Sequence, residues 1–296
     1  MVKAIQVFCF GEILWDNLPT GRRMGGAPLN VCYHLNQQGI PAAIISQVGA
    51  DDAGIALMAG MKKLAVPTDF VTVDPALLTS TVEVLLQEDG QASYTIVEDV
   101  AWDAIPFRKD VAEELAKAEA FVFGSLASRK GASRQSLLAY LPYARWAIFD
   151  MNLRAPFIEP DFIVQLIAAC HTLKVNEEEL YTLAEWLALP AGDEQEIIDT
   201  LWLRYPNLRE VLLTKGAAGA SYYSPSATVD VAGIAVQVKD TIGSGDSFLA
   251  AFIAQTLVGA TTTVALQQAV FLSAFVASKE GACPSYSSSE IAQIKV

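Results

Sequence analysis

Histidines and cysteines are few in this 296-residue chain, and basic residues are outnumbered. The two histidines, His34 and His171, and four widely spaced cysteines without a C-x-x-C pair argue against a zinc site. The cysteines lie mostly among apolar neighbours, which favours a reduced, cytoplasmic compartment. The 33 acidic residues exceed the 20 basic ones, for a net charge of -13, so nucleic acids and anionic membranes would be repelled. We expect neither as a partner.

Long apolar runs are also missing. No segment approaches the roughly 18 continuous apolar residues that a membrane helix needs. The N-terminal stretch "MVKAIQVFCFGEILWD" runs into Gly11-Glu12 rather than into a small-residue cleavage site, and it predicts a first strand instead of a signal peptide. With 52% hydrophobic residues, a chain of this length can bury a large core.

Strand-like and helix-like segments alternate through most of the chain. Runs such as "IQVFCF", "AAIISQV" and "WAIFDM" are separated by stretches of helical period. This alternation predicts an α/β fold, with a mostly parallel sheet covered by helices on both faces. Residues 80–97 differ, since they read as two strands around Asp89-Gly90. They could form a small β flap over a site or extend the main sheet. We expect a single domain, 1–296, with a β appendage from about 12–20 and 80–100.

The segment "DTIGSGDSF", residues 240–248, places two glycines and an acid before a helical apolar pattern that begins near Asp246. It lacks the lysine of a Walker A loop and the spacing of a Rossmann fingerprint, which disfavours an oxidoreductase. The amides of Gly243, Ser244 and Gly245 and the helix dipole predict an anion site. They should keep the Asp246 carboxylate ionised, ready to accept a proton. The alternative is that Asp246 only caps the helix.

Three further polar clusters follow predicted strands or turns. Residues 25–54 open with a Gly-Gly turn and a helix that starts near Pro28, with Asn30 in its first turn. The sequences "NEEE" at 176–179 and "TKGAAG" at 214–219 each come directly after a strand. The carboxyl ends of parallel strands meet at one edge of a sheet, where α/β proteins bind ligands. The clusters therefore predict one pocket.

In this order, the four stretches resemble the PfkB or ribokinase-like carbohydrate kinase family over nearly the whole chain. "DTIGSGD" is similar to the signature D-T-x-G-A-G-D, with Ser244 where alanine is usual, and residues 25–54 are similar to the N-terminal signature. The resemblance implies a ribokinase-like three-layer αβα sandwich with a small β lid and ATP-dependent phosphoryl transfer to a sugar. It implies that Asp246 is the catalytic base and that the amides of Gly243, Ser244 and Gly245 form the anion hole.

The same resemblance implies the nucleotide end of the site. Asn176 and Glu179, which fit N-x-x-E, would order Mg²⁺ and its waters near the ATP phosphates, in keeping with the few protein ligands that magnesium takes. The alternative is that the acids of this stretch only form a solvated helix start that complements the helix dipole. We adopt that interpretation for Glu177 and Glu178. Three residues of T-x-G-x-x-G would line the nucleotide: Thr214, Gly216 and Gly219.

At the sugar end, the resemblance places Asp16 as an acid that binds sugar hydroxyls, with Gly26 and Asn30 adding contacts. Asp150, Asn152 and Arg154 form D-x-N-x-R, a pattern similar to that of fructokinases, and in an extended segment their side chains would point the same way. Arg154 could bind sugar or phosphate, or pair with Asp150. The tetrad "GGAP" also resembles the fructokinase subgroup, so fructose is the expected substrate. Ribose, 2-keto-3-deoxygluconate, a nucleoside or an idle sugar-binding relative are the alternatives.

Two further features follow from the resemblance. Asp240 and Thr241, with Gly281 and Ser285 in "KEGACPS", match the loops that hold a monovalent cation such as K⁺ in the family. An ordinary C-terminal turn is the alternative. Because lids of the family often pair between subunits, a homodimer through the β lid is a further expectation.

Overall fold

Short runs of β-branched and aromatic residues form the strands. The computed structural model describes residues 4–18, 21–86, 92–189, 192–287 and 290. The strands are β1 Val7–Phe10, β2 Leu14–Leu18, β3 Gly21–Gly25, β4 Ala42–Gly49, β5 Val71–Asp74, β6 Thr81–Leu86, β7 Ala92–Ile96, β8 Ala120–Gly124, β9 Ala147–Asp150, β10 Thr172–Asn176, β11 Glu210–Thr214, β12 Gly219–Ser224 and β13 Ala227–Ala232. The helices are α1 Ala27–Gln37, α2 Asp52–Lys63, α3 Lys109–Leu115, α4 Gly131–Tyr140, α5 Pro160–Ala169, α6 Glu177–Trp186, α7 Glu194–Arg204, α8 Ser244–Leu257 and α9 Thr262–Ala277.

The main sheet has the strand order β13-β12-β11-β10-β9-β8-β1-β4-β5. From β11 to β5 all neighbours are parallel, and β12 and β13 add an antiparallel edge. The carboxyl ends of the parallel strands therefore meet along one edge, which carries Asp150 and Asn176. The predicted mostly parallel α/β sheet is confirmed.

Helices cover both faces of this sheet. Alternate residues of a strand point to opposite faces, and in β1 Phe8 and Phe10 join one apolar core whereas Val7 and Cys9 join the other. The first core includes side chains of α5 and α6, and the second includes those of α1, α8 and α9. Because both faces are packed, the central strands are buried along their whole length. The architecture is the expected three-layer αβα sandwich.

A second, four-stranded sheet lies apart from the first, with the order β3-β2-β6-β7. The pairs β2–β3 and β6–β7 are antiparallel, and β2 pairs with β6 in parallel. The hairpin expected over residues 80–97 is confirmed, although its Asp89-Gly90 turn lies outside the described residues. The alternative that it extends the main sheet is wrong. Strand β3 was not expected, because "GRRMG" has neither β-branched residues nor a clear alternation. We call this second sheet the lid.

Cys9, Cys32, Cys170 and Cys283 are free thiols. Within the ranges that the structure describes, no helix combines the length and the apolar composition that crossing a bilayer requires.

Candidate active site

Helix α8 starts at a glycine turn on the edge where the strands end. Its N-cap is Gly243, with φ +77, and a Cβ there would come within 2.7 Å of the Ala282 Cα. Only glycine therefore fits this position without strain. The Ser244 amide donates to the Thr241 carbonyl at 3.2 Å, whereas the amides of Gly243 and Gly245 have no acceptor among the described residues. Two amides of the expected three are thus free to face an anion.

Asp246 lies in the first turn of α8 and is buried. Its Oδ2 accepts a hydrogen bond from Asn30 Nδ2 at 2.8 Å, and Asn30 Oδ1 accepts one from the Cys283 thiol at 3.3 Å. The cap of the helix is Gly243, without a side-chain hydrogen bond, so the interpretation of Asp246 as the N-cap was wrong. Instead, Asn30 orients the carboxylate.

The carboxyl of Asp246 does not titrate as expected from the amides alone. Burial, and to a smaller extent the nearby Asp150 carboxylate, raise its pKa to about 6. The hydrogen bond from Asn30 and the charges of Lys174 and Arg154 act in the opposite direction. Desolvation therefore outweighs the favourable effect expected from the helix start, and the pKa lies above its ordinary value. A carboxyl with this pKa is mostly ionised at pH 7 and still basic enough to accept a proton.

A buried ion pair lies beside this carboxylate. Lys174 Nζ donates to Asp150 Oδ1 at 2.8 Å, between the neighbouring strands β10 and β9. Burial lowers the pKa of Lys174, but the charges of Asp150 and Glu179 outweigh it and raise the pKa overall. A Cβ built on Gly245 would be 3.4 Å from Lys174 Nζ, so the ammonium lies against the start of α8. Sequence reasoning missed Lys174, although a lysine inside the strand "TLKVN" was a signal, because lysine is rarely buried unpaired.

The D-x-N-x-R segment differs from its expected geometry. Strand β9 ends at Asp150, and Asn152 has φ +39, so the segment is not extended and the side chains do not share a direction. Arg154 is exposed, whereas Asp150 is buried and paired with Lys174. The alternative ion pair between Arg154 and Asp150 is therefore wrong. The Arg154 charge instead opposes the rise in pKa that burial causes at three carboxyls around the site: Glu12, Asp16 and Asp246.

Glu12 is a second residue that sequence reasoning missed. It follows β1 and is buried, and its Oε1 accepts from the Ala27 amide at 3.2 Å. Burial raises its pKa to about 7. Its Oε2 and the Asp150 Oδ2 are buried and have no hydrogen-bond partner within the part of the chain that the structure describes. Both residues line one narrow cleft with Asn152. Unpartnered buried acceptors are uncommon, and these two suit the hydroxyls of a ligand.

The Gly-Gly turn brings the lid close to this cleft. Gly26 has φ +116, and a Cβ there would collide with the Glu12 carbonyl. The Asp16 carboxylate, on β2, lies directly against Gly25, where a side chain would displace it. Burial raises the pKa of Asp16 to about 6, and the charge of Arg154 opposes the rise. Asn30 thus contacts Asp246 directly, and the charge of Arg154 acts on both Asp16 and Asp246, whereas the binding roles of Asp16, Gly26, Asn30 and Arg154 stay predictions.

Asn176 and Glu179 hold the start of α6 together. Asn176 Oδ1 accepts from the Glu179 amide at 2.8 Å, and Glu179 Oε2 accepts from the Asn176 amide at 2.9 Å. Glu179 Oε1 accepts from the Leu153 amide at 2.8 Å. Each oxygen keeps a lone pair that can accept from a water, so the pair fits Mg²⁺ held through its waters. The described ranges contain no cluster of three His, Cys, Asp or Glu side chains arranged to hold a metal.

The expected nucleotide loop adjoins Asn176, because Asn176 of β10 pairs in register with Thr214 of β11. Gly216 has φ +52, and a side chain there would meet open space. Gly219 has φ +109, and a Cβ would overlap the Val231 carbonyl. The close contact with β13 therefore explains by itself why residue 219 is a glycine. Gly216 instead leaves room for a ligand.

The expected K⁺ loops are joined by the side chain of Asp240. Its Oδ1 accepts from the Ile242 amide at 3.0 Å, and its Oδ2 accepts from the Gly281 amide at 3.0 Å. Arg23 of the lid lies 3.8 Å from the same Oδ2. This carboxylate therefore links the two loops, and its expected part in holding K⁺ stays a prediction. The other two residues of the expected set lie at the surface: Thr241 and Ser285.

The chain is similar to known proteins over most of its length. The model of the family described as "pfkB family carbohydrate kinase" matches residues 8–289. A curated fructokinase from Solanum tuberosum is 28% identical over 264 residues, which cover 83% of this chain and 79% of that protein.

Two solved structures share the fold. A fructokinase with bound ATP from Xylella fastidiosa superposes with a TM-score of 0.85 at 21% identity, over 99% of this chain and 98% of that one. A double mutant of fructokinase from Vibrio cholerae, in a form with fructose, ADP and potassium ion bound, superposes with a TM-score of 0.82 at 21% identity over 99% of both chains. At this identity the two structures establish the fold alone.

Proposed function

The chain belongs to the pfkB family of carbohydrate kinases, and on this basis we propose that it transfers the γ-phosphoryl group of ATP to a primary hydroxyl of fructose. The fructokinases among its relatives and structural neighbours support this sugar. The single observation that carries the proposal is Asp246, a buried carboxylate held by Asn30 beside the free amides of Gly243 and Gly245.

The sugar would bind between the lid and the ends of the strands. Glu12 Oε2 and Asp150 Oδ2 offer buried acceptors to its hydroxyls, and Asp16 adds a carboxylate from the lid. Arg154 at the surface would hold the sugar or the transferring phosphate. Because each buried acceptor without a partner costs free energy, a ligand that supplies hydroxyl donors at these points is favoured over one that lacks them.

In the transfer, Asp246 accepts the proton of the attacking hydroxyl. The oxygen then bonds to the γ-phosphorus as the bond to the β-phosphate oxygen of ATP breaks, which releases ADP. The amides of Gly243 and Gly245 donate to the phosphoryl oxygens, where negative charge is concentrated. The Lys174 ammonium against Gly245 adds positive charge beneath the same point.

The phosphates of ATP require neutralisation by a cation. Asn176 and Glu179 would hold Mg²⁺ through its waters, and the bound ion would neutralise charge on the β- and γ-phosphates. Thr214 and Gly216, beside Asn176, would lie along the nucleotide.

The substrate is tested by measuring ADP release on addition of fructose, ribose, 2-keto-3-deoxygluconate and adenosine in turn. We expect fructose to give the highest kcat/KM, because the cleft offers several acceptors to a polyhydroxylated ligand. A preference for ribose or another acceptor would contradict the choice of fructose. No turnover with any of them would favour a sugar-binding protein without catalysis.

The pH dependence of turnover follows from Asp246. Its pKa lies near 6, so the carboxylate that accepts the proton is lost as the pH falls through that value. We expect kcat/KM to fall by about tenfold for each pH unit below about 6. The pKa values of Glu12 and Asp16 also lie near 6 to 7, so the acid side of the pH profile reports these carboxyls and Asp246 together. A profile that is flat down to about pH 4.5, measured as ADP release, would argue against this base.

Three expectations from the sequence stay proposals. Two copies would pair through the lid, the protein would be cytoplasmic, and a K⁺ ion would bind at the loops that carry Asp240, Thr241, Gly281 and Ser285. The potassium-bound neighbour supports the last of these. No step above depends on them.

A further inference from the structure

A second cavity, of about 650 Å³, lies beside the lid. It is bounded by β3, which is an edge strand of the lid, by the second half of α2 and by residues 280–283. None of these residues lines the cleft that Glu12 and Asp150 share. Binding sites for small molecules in proteins have volumes in this range. We call it the lateral cavity.

Among the charged side chains that line the lateral cavity, three are cationic and one is acidic. Arg22 and Arg23 come from β3 and Lys63 from the end of α2, whereas Glu280 is the one acid of the lining. Arg23 pairs with Glu280 at 3.4 Å, but neither Arg22 nor Lys63 takes part in an ion pair within the described ranges. Acids outnumber bases 33 to 20 in this chain, so its overall potential repels anions. A cavity with surplus positive charge is a local exception that attracts them.

The geometry prepares Arg22 for such an anion. Its guanidinium lies 4.6 Å from the centre of the Trp15 ring, and the Trp15 indole N–H donates to the Ala53 carbonyl at 3.0 Å. Stacking fixes the plane of the guanidinium and leaves its in-plane N–H donors for two parallel hydrogen bonds to a phosphate. Lys63 also complements the C-terminal end of α2, a role that Arg22 does not have.

We propose that the lateral cavity binds a small phosphomonoester, of the size of a hexose phosphate. Arg22 and Lys63 hold the phosphate, and Arg23 turns toward it. Arg23 can do so because its contacts to Asp240 and Glu280 are long, at 3.8 and 3.4 Å, and its side chain is 34% exposed.

The lateral cavity also adjoins the catalytic residues. Cys283 is part of its wall, and the Cys283 thiol donates to Asn30, which orients Asp246. On the other side, Arg23 faces Asp240, whose carboxylate joins the loop before α8 to residue 281. A bound phosphomonoester therefore lies next to both sets of contacts that position the start of α8.

Titration calorimetry of the full chain with glucose 6-phosphate, without ATP, tests the proposal. We expect saturable binding that Arg22→Gln and Lys63→Gln each weaken by about fivefold, and the double variant by more than about twentyfold. Both side chains are exposed, so the variants are expected to fold. Two matched controls should keep the native Kd: Lys62→Gln, an exposed neighbour on α2 outside the lining, and Arg154→Gln, whose charge acts on Asp246 at the proposed substrate site, which we call the substrate cleft.

Three outcomes would overturn the proposal. The first is no saturable binding up to about 10 mM. The second is equal weakening by Lys62→Gln, which would show attraction to surface charge in general. The third is loss of binding in Arg154→Gln with native binding in Arg22→Gln, which would place the ligand in the substrate cleft. Because the measurement needs no turnover, it stands or fails independently of the proposed sugar kinase reaction.

Discussion

Asp246→Asn is expected to lower turnover by about a hundredfold or more, the scale for loss of a positioned general base. The asparagine keeps an oxygen that can accept from Asn30, so the local geometry is preserved. It lacks the basic carboxylate, so the hydroxyl proton has no acceptor at this position. Steady-state ADP release in the presence of fructose measures the effect. Asp52→Asn, an exposed acid in the first turn of α2, is the matched control and should keep native turnover.

The same variant should not lose stability. Folding raises the pKa of Asp246 from an ordinary value of 3.8 to about 6, so the folded protein bears an unfavourable buried charge above about pH 6. Asparagine removes that charge. We expect the free energy of unfolding to rise by about 1 to 3 kcal/mol at pH 7, and the gain to vanish below about pH 4, where both states are protonated. A variant that is less stable than the native chain in urea unfolding at pH 7 would indicate a structural role.

Lys174→Met is expected to destabilise the fold by about 3 to 5 kcal/mol, because it leaves the buried Asp150 carboxylate without its partner. The double variant Lys174→Met/Asp150→Asn removes both charges and should recover much of the loss. Urea unfolding of the two single variants and the double variant gives the coupling free energy. If the loss of unfolding free energy in the double variant equalled the sum of the losses in the two single variants, the two charges would not be coupled.

Lys215→Met provides the control for this cycle. Lys215 also pairs with a carboxylate, that of Glu194 at 2.6 Å, but both side chains are about one fifth exposed. Screening by solvent should limit the cost of its removal to about 1 kcal/mol. Lys174 also lowers the pKa of Asp246, so the acid limb of the pH profile should move to higher pH in Lys174→Met and stay in place in Lys215→Met. Equal effects of the two variants would contradict the role given to the buried pair.

Much of the fold could be predicted because its signals are local. The alternation of strand-like runs with helical stretches indicated the parallel sheet. The Gly-Gly and Gly-Ser-Gly turns indicated the starts of α1 and α8. Strand β3 could not be predicted, because what makes "GRRMG" a strand is its pairing with β2, and that pairing is not encoded in its own propensity.

The charges of the site were harder to predict than its location. Whether Asp246 is ionised depends on how deeply it is buried, and burial depends on contacts between residues far apart in the chain. For the same reason, the sequence could not show that Asp150 pairs with Lys174 and not with Arg154, since the left-handed turn at Asn152 separates the two sides of D-x-N-x-R. Glu12 was missed because nothing in "GEILWD" shows which oxygen is left without a partner.

The most direct measurement is a single-turnover assay with γ-labelled ATP, fructose and enzyme in excess over ATP. The native chain should convert label into phosphorylated fructose, with one ADP formed for each phosphorylated sugar. Asp246→Asn should bind both substrates but form that product about a hundredfold or more slowly. Equal rates in the two proteins, or label released as inorganic phosphate without phosphorylated fructose, would contradict the assignment of Asp246 as the base of a fructose kinase.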